Sequence, residues 1–179
     1  MKSTYFFTAI LLSLIAIPTS CGHKPTSGSD PEVEDLLYGT WVERSYEDGM
    51  AYVEEVSYRP DNTLNRRIAV FAQDFTPVLS IVGKGTWYAT KDEIIETIDV
   101  ESIGCDYMSS DYIGLNEVAE TVETMRNELK DPLRSKIIVI STVSSGKTTM
   151  TLEQDGETSV YKRSERIEPQ EKESTDNSL

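Results

Sequence analysis

GTWVERSYEDGMAYVEEVSY, residues 39–58, reads as two β-prone runs folded back on one another. Residues 39–46 and 50–58 are rich in Thr, Val, Tyr and Trp, side chains that suit a pleated, half-buried surface. Between them Glu47-Asp48-Gly49 supplies an Asp-Gly pair, which tolerates the positive φ angles of a tight hairpin. A single hairpin is a local event. Its repetition along the chain sets the fold class.

Outward from this hairpin, Arg59-Pro60-Asp61-Asn62 turns the chain into a third run, residues 63–73. Runs at 77–82, 85–90 and 93–100 follow, with Gly83 after the first and Lys91-Asp92 between the last two. Near the C-terminus, residues 136–142, 147–153 and 158–163 form a meander whose turns contain Ser144-Ser145-Gly146 and Gln154-Asp155-Gly156. Between these groups Leu115, Val118, Val122, Met125 and Leu129 recur at steps of three and four, which predicts one amphipathic helix ended at Asp131-Pro132. Its apolar stripe fits packing on its own domain, or a lid over an opening. About eight or nine short strands joined by hairpins predict a mainly β fold, an antiparallel up-and-down barrel with that helix inserted. Closure removes the exposed strand edges that an exported protein must otherwise protect.

The ends differ from the middle. Residues 1–20 have the layout of a secretory signal: Lys2, then the apolar stretch YFFTAILLSLIAI at 5–17, then Pro18-Thr19-Ser20 before Cys21. Residues 21–34, full of Gly, Pro, Ser and charge, read as a flexible tether. Residues 164–179 read as a disordered polar tail, which leaves 35–163 for the folded domain. Of the two cysteines, Cys105 is expected as a small apolar core residue. A Cys21–Cys105 disulfide in a secreted chain is the alternative.

Thr19-Ser20-Cys21 resembles the lipobox of bacterial lipoproteins. That resemblance implies cleavage before Cys21, lipid (including palmitate) on Cys21 as the new N-terminal residue, and a membrane partner held through that lipid. Gly22 stands where an inner-membrane retention aspartate would be, so the expected location is the cell envelope, at the outer membrane. Gly39-Thr40-Trp41 at the start of the first strand, the run of hairpins and Arg163 on the last strand together resemble the lipocalin (calycin) pattern. The layout is similar to lipocalin-like domains of small exported lipoproteins of the Bacteroides type. The resemblance implies that Trp41 closes the barrel base and that Arg163 packs across its ring. Gly85-Thr86-Trp87 repeats the motif in mid-chain and reads as packing at the start of a strand.

The chain carries 17 basic and 31 acidic residues, a formal charge of −14. Such a surface repels phosphate backbones, so nucleic acid is not expected as a partner. The only histidine, His23, lies in the tether, so no histidine triad or metal site is expected in the domain. Ser145-Gly146-Lys147-Thr148 lacks the first glycine of a phosphate loop and reads as a hairpin turn. No cofactor and no catalytic residue are expected. The carboxylates Glu54-Glu55, Asp92-Glu93 and Asp99/Glu101 are expected on solvated faces or turns.

What remains is the interior. Tyr52, Val56, Tyr58, Ile68, Val70, Trp87, Ile98 and Met150 are the candidates to line an apolar cavity, in a wider set that includes Ile94, Val139 and Leu152. The function expected is non-enzymatic, an envelope-anchored barrel binding a small hydrophobic ligand. The alternative is a barrel with a filled core that serves as an interaction or inhibitor module for another envelope protein.

Overall fold

The opening hairpin forms as its sequence directs. β1 (Gly39–Glu47) pairs antiparallel with β2 (Met50–Tyr58) in unbroken register from Gly39↔Tyr58 to Glu47↔Met50. Asp48 and Gly49 turn the chain at φ 49° and 78°. The structure is a computed structural model and describes residues 28–164 except 145. The segment read as a signal, Cys21, His23 and most of the expected polar tail lie outside the described residues.

Six further strands complete the sheet: β3 (Thr63–Phe71), β4 (Pro77–Ala89), β5 (Glu93–Met108), β6 (Leu133–Thr142), β7 (Thr148–Gln154) and β8 (Glu157–Arg163). All neighbours are antiparallel and in chain order, and β8 returns to β1, so the eight strands close a barrel. The mainly β fold class expected from the hairpins is the one observed.

Two strand ends fall elsewhere than the sequence suggests. Residues 77–82 and 85–89 belong to one 13-residue strand, β4, and β5 runs eight residues past position 100 to Met108. Glycines that read as turn punctuation instead make room inside the sheet. A Cβ on Gly85 would lie 2.2 Å from the Thr97 carbonyl oxygen, and the β4–β5 register shifts between Val82 and Lys84. A glycine in a strand commonly marks such a close approach or bend. Five strands therefore precede the inserted helix, not six. The repeated Gly-Thr-Trp does not start a strand, since Trp87 lies near the end of β4.

A short helix, α1 (Pro31–Leu37), replaces the end of the expected tether. Asp30 caps it, its carboxylate accepting from the N–H groups of Glu32 (3.1 Å) and Val33 (3.4 Å), and Pro31 takes the first position. α1 shuts one end of the barrel, the floor. Trp41 Nε1 donates to the Leu37 carbonyl at 2.7 Å, and Asp30 N donates to the Ala89 carbonyl at 2.8 Å. Arg163 lies over the Trp41 ring, its Cζ 4.7 Å from the centroid, and donates to the Leu36 carbonyl. Trp87 packs edge-on to Tyr38 and tilted against Tyr58.

Barrel closure is uneven. β5 pairs with β6 only from Glu93↔Lys136 to Glu96↔Leu133, so most of β5 has a strand on one side alone. The inserted helix, α2 (Leu115–Glu128), packs against β5. Val118 and Met125, with Leu129 just after it, bury its stripe, whereas Leu115 is exposed. Arg126 Nη2 donates to the Ile103 carbonyl of β5 at 2.8 Å, which ties the helix to the strand.

Candidate binding site in the barrel interior

Strand alternation determines what the interior holds. On β2 the inward series is Tyr52, Glu54, Val56, Tyr58. On β3 it is Leu64, Arg66, Ile68, Val70. Closure along these series is not uniform: Arg66, Ile68, Glu54 and Tyr52 keep some exposed surface, whereas Val70 beyond Ile68 is again buried. Val56, Leu64 and Met150 are 0% exposed, while Tyr52 and Ile68 are only partly buried. A side chain with no exposed surface has no water-sized space beside it, so the lower barrel is filled by packing, as small barrels commonly are.

The predicted lining set therefore divides. Val56, Tyr58, Val70, Trp87, Ile98 and Met150 are buried members of one core, which Ile94 and Leu152 share. Tyr52 and Ile68 are partly buried and pack against that core. Val139 does not belong inside: it is 46% exposed. A register irregularity between Ile137 and Val139 breaks the alternation that would have turned it inward.

In the middle of the interior sits a polar cluster. Arg66 Nη2 stands 3.1 Å from Glu54 Oε1 and 3.1 Å from Glu96 Oε2. Tyr58 Oη donates to Glu96 Oε1 at 2.5 Å, and Tyr161 Oη donates to Glu54 Oε2 at 3.2 Å. The side chains of Arg66, Glu54 and Glu96 are 12%, 17% and 4% exposed. Glu43 belongs to the same face, directly opposite Glu54 across the β1–β2 pair. Four strands, β1, β2, β3 and β5, and Tyr161 of β8 thus supply one cluster.

Its electrostatics follow from crowding and burial. Burial works against the Arg66 charge, but Glu54 and Glu96 outweigh it and hold the guanidinium protonated beyond its ordinary range. Burial first, then the neighbouring carboxylates, pushes the Tyr58 and Tyr161 phenols well above their usual values, so both remain neutral donors. Burial, then Glu54, raises the Glu43 carboxyl. Within the cluster three buried atoms make no hydrogen bond: the acceptors Glu54 Oε1 and Glu96 Oε2 and the donor Arg66 Nε. The two carboxylate oxygens lie at ion-pair distance from Arg66 without an aligned N–H.

Glu54 corrects the expectation of a solvated face, whereas Glu55, Asp92, Asp99 and Glu101 are exposed. Arg66, Glu96, Glu43 and Tyr161 are members that reasoning from motifs missed. A signal was present: Glu54 lies between Tyr52 and Val56, Arg66 between Leu64 and Ile68, and Glu96 between Ile94 and Ile98. A charge at the centre of an inward i, i+2, i+4 apolar series is a buried charge.

Two other features lie apart from the cluster. Cys105 is not a core residue but an exposed free thiol, its Sγ donating to the Tyr107 carbonyl at 3.2 Å. It lies on the strand extension that the sequence reading stopped short of. At the end opposite the floor, a groove of about 290 Å³ lies between the β1–β2 and β3–β4 turns, lined by Tyr46, Met50, Ala72 and Phe75 among others. The segment around Lys147 is a hairpin turn, as read from sequence, with Val143 N donating to the Lys147 carbonyl.

No protein-family model matches the chain, and no curated protein matches it either.

Proposed function

We propose that the protein is an envelope-anchored lipoprotein, lipid-bearing at Cys21, whose lipocalin-like barrel binds a small, largely apolar ligand without chemical turnover. The observation that carries this reading is the partly buried stretch of the inner face, Tyr52, Glu54 and Ile68, above a packed floor. The floor is packed shut by α1, Trp41 and Arg163, whereas Tyr52, Ile68 and Glu54 nearer the other end keep exposed surface. An apolar lining with a few fixed polar groups is the usual composition of a ligand site. The apolar groove by Tyr46 and Phe75, at the end away from the floor, supports entry from that side.

Native mass spectrometry of the purified protein tests this. A bound lipid-like mass, or stabilisation by members of an apolar ligand panel, is the expected result. Absence of both across preparations overturns it. Mass spectrometry of the mature N-terminus tests the anchor separately, since a diacylglyceryl or palmitoyl mass on Cys21 is expected.

One observation favours the second reading, an interaction or inhibitor module. Beyond Ile137 the outer edge of β6 has no strand partner, and Ile138, Val139 and Val143 are exposed there. An open apolar edge is a template for pairing with another chain. Cross-linking in cells that traps one dominant envelope partner would favour it over ligand binding.

A further inference from the structure

The N-terminal segment and the open edge of β6 meet at one end of the barrel. Asp30 N donates to the Ala89 carbonyl at 2.8 Å, and three residues further on the Asp92 carbonyl accepts from Ile137 N, also at 2.8 Å. Past that bond β6 has no strand on its β5 side and pairs with β7 alone as far as Thr142. Pairing carries the same end across the sheet. Thr142 stands opposite Thr148, Thr149 opposite Lys162, and Arg163 opposite Trp41. Arg163 then donates to the Leu36 carbonyl of α1.

The outer face here differs from the acidic surface elsewhere. Val139, Thr151 and Val160 form one outward row across β6, β7 and β8. Ile138, Val139, Val143 and Val160 are 46%, 46%, 51% and 49% exposed. Residues 132–152 contain no Asp or Glu, in a chain with 31 acidic residues among 179. Lys147 and Lys162 are exposed, and neither ion-pairs with a described residue. Lys136 stands opposite Glu153 and is not counted with them.

We infer that the outer face of the β6–β7 hairpin and β8 docks on an anionic lipid bilayer. Ile138, Val139, Val143 and Val160 sit at the level of the headgroups, and Lys147 and Lys162 face the lipid phosphates. The inference rests on the lipid anchor at Cys21 proposed above. Asp30 follows Cys21 by nine residues, a reach of roughly 30 Å at most, so the anchor brings the bilayer to this end of the barrel. Anionic lipid repels a chain of formal charge −14 as a whole, so approach requires a face free of carboxylates. Single exposed apolar residues are ordinary, whereas four on one face beside two lysines match an interfacial surface. A strand added to the β6 edge would cover Ile138 and Val139 but not Val160, two strands away, or the lysines.

Hydrogen exchange of the full lipid-bearing chain on phosphatidylcholine vesicles, with and without a third of phosphatidylglycerol, tests this. Amides of residues 137–149 are expected to exchange at least about tenfold more slowly on the anionic vesicles, as two lysines at roughly fivefold each allow. Residues 44–50, at the other end of the barrel, are expected to be unchanged. Lys147→Gln combined with Lys162→Gln, at exposed positions that folding does not need, is expected to abolish the difference. So is about 1 M salt, where the screening length is about 3 Å. Co-flotation with the vesicles reads the anchor separately: a chain that does not float removes the anchor, and the docking face with it. A chain that floats but exchanges equally on both vesicles, or slows at residues 44–50 instead, overturns the docking face while the anchor stands. Slowing of residues 137–149 without vesicles, growing with protein concentration, assigns the edge to another chain and overturns it too.

Discussion

A guanidinium enclosed in a barrel gives up its water and must recover that loss from the groups around it. Arg66 does so through Glu54 and Glu96, each 3.1 Å from the same nitrogen. Arg66→Met is therefore expected to destabilise the protein by about 3–5 kcal/mol, because it leaves two carboxylates without a counter-charge. Urea denaturation checks this, as a lower midpoint at unchanged slope. Combining it with Glu54→Gln and Glu96→Gln is expected to restore part of the loss. Tyr58 gives a pH signature. Its folded-state pKa lies above the unfolded value near 10, so its contribution is complete below pH 10 and is lost as pH rises through the folded value. Stability should thus fall above pH 10, and Tyr58→Phe should make that fall shallower. Glu43 acts in the same sense in the acid range: burial, then Glu54, raises its pKa, so stability is lost as pH rises through the folded value and the carboxylate ionises. Glu43→Gln is expected to raise stability near neutral pH by about 0.5 kcal/mol, as removal of a cross-strand repulsion does.

At the scale of elements, the hairpins were legible because their turn chemistry is strong. Asp48-Gly49 and Asp155-Gly156 both adopt the positive φ angles that their residue types suggest. The α2 stripe was legible from its period. What escaped depended on contacts distant in sequence. Gly85 reads as a strand boundary until Thr97 is known to lie against it. α1 is seven residues long, too short to show a period, and its capping signal, Asp30-Pro31, sat in a segment whose composition resembled a tether. The polar cluster escaped for a related reason. The face of a strand is fixed by its neighbours' register, so a glutamate flanked by apolar residues could not be turned inward with certainty from one strand alone. Gly85→Ala tests the account of β4. A Cβ 2.2 Å from a backbone oxygen cannot be accommodated by moving a flexible side chain, so the variant is expected to lose about 3 kcal/mol. An alanine tolerated within a few tenths of that scale would show that β4 and β5 can part at this point without penalty.

At the scale of the molecule, one buried cluster runs from Leu37 of α1 through Trp41, Leu64 and Met150 of the barrel to Val118 and Met125 of α2. No part of the described chain has a separate core, so neither helix can leave without exposing barrel side chains. This continuity predicts a single cooperative unfolding transition. The two tryptophans make the test direct. Trp41 and Trp87 both lie at the floor, 0% and 2% exposed, so their fluorescence reports the end shut by α1. Far-UV circular dichroism reports all eight strands and α2 together. The two signals are expected to give coincident urea midpoints and equal slopes. A fluorescence change that precedes the loss of β-structure would mean that α1 releases the floor while the barrel stands. In that case the closed end would itself be a door, and the packed lower interior would be open to ligands from below.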